Sequence, residues 1–192
     1  MGGNPNRGHP IFFDKPASCL VHSGSTIPYP LATNDLHHEV ELAVALKSIG
    51  CNVTVEDAAE LIFGYAVALD MTRRDLQAAA KKNGKPWDMG KGFDQSAPCG
   101  DLMRLEGQLL DQGAITLAVN GQVRQSGDLN QMIWSVAEVV SELSNLVTLQ
   151  PGDLILTGTP SGVGPVEPGD RLSAEIEGVG SLDITYGQAV ST

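Results

Sequence analysis

Two glutamates one residue apart, Glu39 and Glu41 in HHEVELAV, are the residues of this sequence best suited to chemistry. In an extended chain their Cα atoms stand roughly 6.5–7 Å apart, because a strand rises about 3.3 Å per residue and sends alternate side chains to the same face. Two carboxylates at that spacing can reach one hard cation; on a helix the same pair would point to nearly opposite sides. A third acid, Asp70, closes the apolar run YAVALD, and the end of a strand is where functional groups are often displayed. Three carboxylates, with room left for water and a ligand, suit Mg²⁺ or Mn²⁺ rather than zinc. Arg74 and Lys91 offset the excess negative charge. The alternative is a solvated strand face that carries two acids.

The elements that must position these groups follow from periodicity. Val40, Leu42, Val44 and Leu46 alternate with Glu41, Ala43 and Ala45, which predicts a half-buried strand within 35–47. Thr54 with Asp57 predicts a short capped helix over 55–63 that stops at Gly64, and YAVALD then reads as a strand. Thr72 with Asp75 starts a second helix that ends at Asn83-Gly84 and places Arg74, Gln77 and Lys81 on one face. Arg73 and Arg74 lie in its first turn, where the helix dipole disfavours cations, so an anion bound there would explain them. Lys91 is an isolated cation between glycines in a loop over 89–101.

Further on, Asn120-Gly121 between alternating runs predicts a hairpin. Asp128 and Gln131 cap a helix whose stripe of Met132, Ile133, Val136, Val139, Val140 and Leu143 reads as core packing. Two PGD turns each open a strand, and a last hairpin partner closes the chain. Between those turns, TGTPSGVGP lacks the Gly-Lys-[Ser/Thr] ending of a phosphate loop and reads as an ordered rim, with Thr157 and Thr159 as hydroxyl donors.

Composition narrows the class. A chain of 192 residues, 42% hydrophobic, suits one domain with a real core. A formal charge of −11 without a basic stripe argues against nucleic acid. Three scattered cysteines without a Cys-x-x-Cys pair point to reduced, mostly buried thiols in the cytoplasm. No apolar run is long enough to suggest a membrane partner. Serine-hydrolase, zincin and dinucleotide-binding motifs are missing from the sequence.

The motifs HHEVELAV, FGYAVALDMTRRDLQ, GKPW followed by GKGFD, and LTGTPSGVGP, in this order, resemble the fumarylacetoacetate hydrolase family, and more narrowly its small acylpyruvases. The resemblance spans essentially the whole chain as a single catalytic domain, 1–192. It implies a β-rich α+β fold, the family's mixed β-roll with short flanking helices, assembled as a homodimer with one divalent metal per subunit.

It further implies Glu39, Glu41 and Asp70 as metal ligands, Arg74 and Gln77 as contacts to the 2-oxo-acid end of a small substrate, Lys91 as a catalytic pocket cation, and Thr159 as a contact from the Gly-rich loop. The expected reaction is hydrolytic cleavage of a carbon–carbon bond in an acylpyruvate, with fumarylpyruvate giving fumarate and pyruvate in aromatic catabolism. Oxaloacetate decarboxylation and non-catalytic binding of a metal and a 2-oxo acid are the alternatives. The second arises because the family's Asn-Tyr-x-x-His-x-x-Glu lid would precede Met1; the expectation is that the true start lies upstream. His37 and His38 are the substitutes within the chain, His38 on the apolar face and His37 on the glutamate face.

Overall fold

The computed structural model describes residues 8–189. In chain order its elements are β1 (Leu20–His22), β2 (Thr26–Pro28), β3 (Leu36–His38), β4 (Val40–Leu46), β5 (Ile62–Leu69), β6 (Thr72–Arg73), α1 (Arg74–Lys82), α2 (Asp88–Lys91) and β7 (Ala97–Cys99). There follow β8 (Met103–Arg104), β9 (Ala114–Val119), β10 (Gln122–Asp128), α3 (Val136–Ser144), β11 (Leu154–Leu156), β12 (Gly164–Val166), β13 (Arg171–Ile176) and β14 (Gly180–Gly187). Among the described residues the strands form three sheets. One has the order β1-β7-β5-β4-β11 with β8 also on β5, the second is β10-β9-β13-β14-β2, and the third is β12-β3-β6. The pairs β1/β7 and β14/β2 are parallel and the others antiparallel, so the two larger sheets are mixed and the third is antiparallel, in keeping with the β-rich α+β expectation.

β4 departs from the half-buried expectation: all seven of its residues are buried. Val40, Leu42, Val44 and Leu46 enter the main core. On the other face Ala43 packs with Ala66 and Ala68 of β5 beneath Cys99 and Leu156. The sequence alternates large and small here, not apolar and solvated, and a strand covered on both sides shows the same period-two pattern. The solvated-face alternative for the glutamates is therefore excluded.

The helix expected over 55–63 shrinks to a 3₁₀ turn at Ala58–Leu61. The Thr54 hydroxyl accepts from the Asp57 N–H at 3.2 Å, but the turn begins later, with Asp57 and not Thr54 at its N-cap, and Gly64 lies inside β5 instead of ending a helix. A Cβ at Gly64 would stand 2.1 Å from the Met103 carbonyl oxygen, so the glycine permits β8 to pair. The helix expected from Asp128 divides in two. Asp128 and Gln131 box a 3₁₀ turn at Leu129–Gln131, and a second box, Ser135 with Glu138, starts α3. Val136, Val139 and Val140 of α3 are buried in the core as the stripe predicts, Met132 and Leu143 pack on it partly buried, and Ile133, which precedes α3, is exposed.

The Asn120-Gly121 turn takes φ values of 52° and 77°, the pair of left-handed conformations that a tight hairpin requires. Beyond it the register shifts between Val123 and Gln125, and the bulge leaves Gln125 fully buried. Cys19 is buried, Cys99 half-buried and Cys51 exposed, and all three are free thiols.

Candidate metal centre

Glu39 occupies the one-residue break between β3 and β4, Glu41 is the second residue of β4, and Asp70 immediately follows β5. Antiparallel pairing sets Val40 opposite Leu69 and Glu41 opposite Ala68, and the Asp70 N–H donates to the Glu39 carbonyl at 2.8 Å. That register brings the three acids together. One carboxylate oxygen from each lies within 4.8 Å of the others, and the residues are only 6%, 5% and 2% exposed.

Three cations surround the cluster. Arg74, the first residue of α1, donates to Glu39 Oε1 and, at 2.7 Å, to Gln77 Oε1. The anion that the first helical turn called for is thus the chain's own Glu39. Lys91 is 3% exposed and donates to Glu39 Oε2 at 2.8 Å, Asp70 Oδ2 at 2.5 Å and Thr72 Oγ1 at 2.7 Å. It sits at the end of the single-turn helix α2, not in an open loop. The third cation, Lys15, places Nζ 2.9 Å from Asp70 Oδ1. Its protons also reach the carbonyls of Lys91 at 2.5 Å, Ser96 at 3.0 Å and Met71 at 3.3 Å. The Asp70 Oδ1 contact is an ion pair with poor hydrogen-bond direction, so that oxygen is buried without a hydrogen bond.

Glu41 differs from its neighbours because no ion pair among the described residues reaches it; its carboxylate accepts only from the Gly158 N–H, at 2.7 Å. Burial, then the charges of Asp70 and Glu39, push its carboxyl well above the ordinary 4.5. Burial also raises Asp70 against the opposing pull of Lys15 and Lys91. Burial alone would raise Glu39 too, but Lys91 and Arg74 bring it below its ordinary value. A hard divalent cation answers these conditions: all-oxygen donors, one buried carboxylate without a counter-charge and one carboxylate oxygen without a hydrogen bond.

A pH dependence follows. Because the folded-state value of Glu41 is raised, its contribution to metal-free stability is present below 4.5 and is lost as pH rises through the raised value. Cation binding needs the carboxylate, so it expels the proton, and affinity is expected to rise with pH. Calorimetric titration with Mn²⁺ in two buffers of different ionisation enthalpy should show proton release in mild acid. Release of no protons would mean that Glu41 is already ionised.

The remaining predicted residues fall around this cluster. Gln77 is buried beside Arg74. Thr159 joins at one remove: its hydroxyl accepts from Gln125 Nε2 at 2.8 Å, while Gln125 Oε1 accepts from the Val40 N–H and meets His38 Nδ1 at 2.9 Å. The Thr157 hydroxyl donates to the Leu42 carbonyl. His38 is therefore a packed, bonded core residue. His37 Nε2 meets Asp35 at 2.9 Å while Nδ1 faces Arg74 Nε at 3.4 Å, which puts the ring behind the arginine. The pattern-based reading missed Lys15, Thr72, Gln125 and Gly158. A signal existed for Lys15, a single cation within the largely apolar IFFDKPASCL; Thr72 was assigned to a cap that Arg73 occupies instead.

Known proteins resemble this chain over most of its length. The family model described as fumarylacetoacetate (FAA) hydrolase C-terminal matches residues 3–185. Fumarylpyruvate hydrolase of a Ralstonia species is 46% identical over 179 residues, 93% of each chain. Oxaloacetate decarboxylase of Dictyostelium discoideum is 41% identical over 92% of this chain and 82% of its own length. The crystal structure of fumarylpyruvate hydrolase from Pseudomonas aeruginosa in complex with Mn²⁺ and pyruvate superposes with a TM-score of 0.92 at 47% identity, covering 98% of this chain and 83% of that one. The same largely β fold is thus shared with a metal-loaded relative.

Proposed function

The chain belongs to the fumarylacetoacetate hydrolase family, and from that membership we propose a divalent-metal-dependent hydrolase that cleaves a carbon–carbon bond of an acylpyruvate, fumarylpyruvate being the substrate. The observation that carries this reading is the buried meeting of Glu39, Glu41 and Asp70 with Arg74 and Lys91 against them. Bound Mg²⁺ or Mn²⁺ would supply Lewis acidity and a charge that chelates the carboxylate and 2-oxo groups. Glu39, Glu41 and Asp70 are the residues that would hold it.

Arg74, fixed between Glu39 and Gln77, presents its guanidinium to the 2-oxo-acid end, where a rigid fork recognises a carboxylate. Water adds to the acyl carbonyl, the bond to the pyruvate methylene breaks, and fumarate and pyruvate result. Lys91 is placed to stabilise the negative charge that develops on the departing pyruvate, a preorganised ammonium in a site from which water is largely excluded. Thr159, held by Gln125, fixes the loop that brings the Gly158 N–H to Glu41. The proposal extends to a cytoplasmic homodimer in aromatic catabolism, with sedimentation equilibrium as the check on the dimer.

A second reading, oxaloacetate decarboxylase, is favoured by the engagement of both nearby histidines elsewhere, His37 with Asp35 and Arg74 and His38 with Gln125. Decarboxylation uses the same chelation without an attacking water. Pyruvate release from fumarylpyruvate and from oxaloacetate, with Mg²⁺, with Mn²⁺ and after chelation, separates the two. The hydrolase should prefer fumarylpyruvate and stop on chelation. Faster turnover of oxaloacetate would sink it, and metal-dependent binding of oxalate without turnover of either would show a binder only.

A further inference from the structure

Outside the carboxylate cluster, a line of cation and ring contacts leads from Lys91 to the surface. The Lys91 ammonium lies 4.9 Å from the centre of the Phe13 ring, and Phe13 packs on Trp87 with centroids 5.5 Å apart and planes at 48°. Lys81 Nζ stands 4.6 Å over the Trp87 ring. Phe13 is 38% exposed, Trp87 half-buried and Lys81 exposed, so the line ends in solvent.

Gly90 holds this arrangement close to the site. A Cβ there would come within 3.1 Å of Gln77 Cβ and of the Gln77 backbone nitrogen, so a side chain at this position would push α2 off α1 by a few tenths of an ångström. That contact keeps Trp87, the residue just before α2, beside the outer end of α1.

Length fits a particular ligand. Arg74 and Lys81 are seven residues apart on one face of α1, about 10 Å along the axis. The seven-carbon chain of fumarylpyruvate, with carbon–carbon bonds of about 1.5 Å, spans roughly 8 Å between its terminal carboxyl carbons. A 2-oxo acid of this length held at Arg74 would be long enough for its far carboxylate to approach Lys81, its acyl chain running past Phe13 and Trp87.

We propose that Lys81, carried on the Phe13–Trp87 wall, forms a distal subsite for the second carboxylate of the substrate, which makes the protein selective for dicarboxylic over monocarboxylic acylpyruvates. This rests on the acylpyruvate reading above. The test compares fumarylpyruvate with acetylpyruvate, which lacks the distal acid, by kcat/KM and by Kd in the presence of Mg²⁺; quenching of tryptophan fluorescence reads binding whether or not turnover occurs.

The ratio of the two substrates, in kcat/KM and in affinity, is expected to fall about tenfold in Lys81→Met, as for loss of one charged hydrogen bond. It should fall further in Lys81→Glu and be restored by Lys81→Arg. A ratio unchanged in Lys81→Met and Lys81→Glu overturns the subsite, as does a wild-type protein that binds fumarylpyruvate no more tightly than acetylpyruvate. Selective binding that depends on Lys81 but is followed by no cleavage would retire the hydrolase and leave the subsite standing.

Discussion

Replacing Glu41 by glutamine is expected to abolish useful binding of the divalent cation while leaving the metal-free protein as stable as before or more so. The two effects have one origin. Among the described residues Glu41, buried beside Asp70 and Glu39, pairs with no cation and accepts a single N–H, from Gly158. A glutamine carbonyl can accept that same N–H without the cost of burying a charge among like charges.

The cation, however, loses one of its three carboxylates. Affinity should drop by more than about 100-fold, beyond the 10–100-fold typical of an outer-shell partner. At a cation concentration 100 times the wild-type Kd the wild type gains about 2.7 kcal/mol, which for a chain of this size raises Tm by roughly 5–10 °C. Thermal unfolding of both proteins with and without Mn²⁺ should show that rise in the wild type only. An equal rise in Glu41→Gln would remove Glu41 from the ligand set.

Lys15→Met is expected to have the largest effect on stability. The lysine side chain is 10% exposed and its pair with Asp70 is buried; burial lowers the ammonium's pKa and the Asp70 charge raises it. Methionine fills much the same volume but leaves Asp70 Oδ1 without counter-charge, and the carbonyls of Met71, Lys91 and Ser96 lose a shared donor. Removing one partner of a buried pair costs about 3–5 kcal/mol. Urea unfolding of the metal-free variant measures it directly. A loss under about 1 kcal/mol would be that of an exposed pair and would show that water reaches this site.

How far such effects can be foreseen from the sequence depends on whether their cause is local. The strand phase of Val40–Leu46 sorted Glu39 and Glu41 to one side, the apolar run to Leu69 delivered Asp70, and Asn120-Gly121 announced its hairpin, because each is written in neighbouring residues. Burial of the glutamate face was not legible, since small residues under a second layer alternate just as solvated ones do. Thr72 satisfied a local capping pattern, but its hydroxyl is used by Lys91 and by the Asp70 carbonyl instead. Gln125 gave no signal at all: the bulge that turns it inward and the loop it holds at Thr159 and Pro160 are far apart in sequence. Lys15, shortly before β1, meets Asp70 across 55 residues of sequence, a contact that no local pattern announces.

The strand pairing has a bearing on how the chain assembles. β4 and β5 are consecutive antiparallel strands, while β1 must find β7 and β2 must find β14, with Thr26 opposite Thr185. Closing such long loops costs more chain entropy than closing β4 on β5. The β4–β5 pairing by itself gathers the three carboxylates, with Arg74 close by in sequence, whereas Lys15 and Lys91 both lie outside that hairpin. The hairpin that collects the acids does not itself carry the two lysines that offset them.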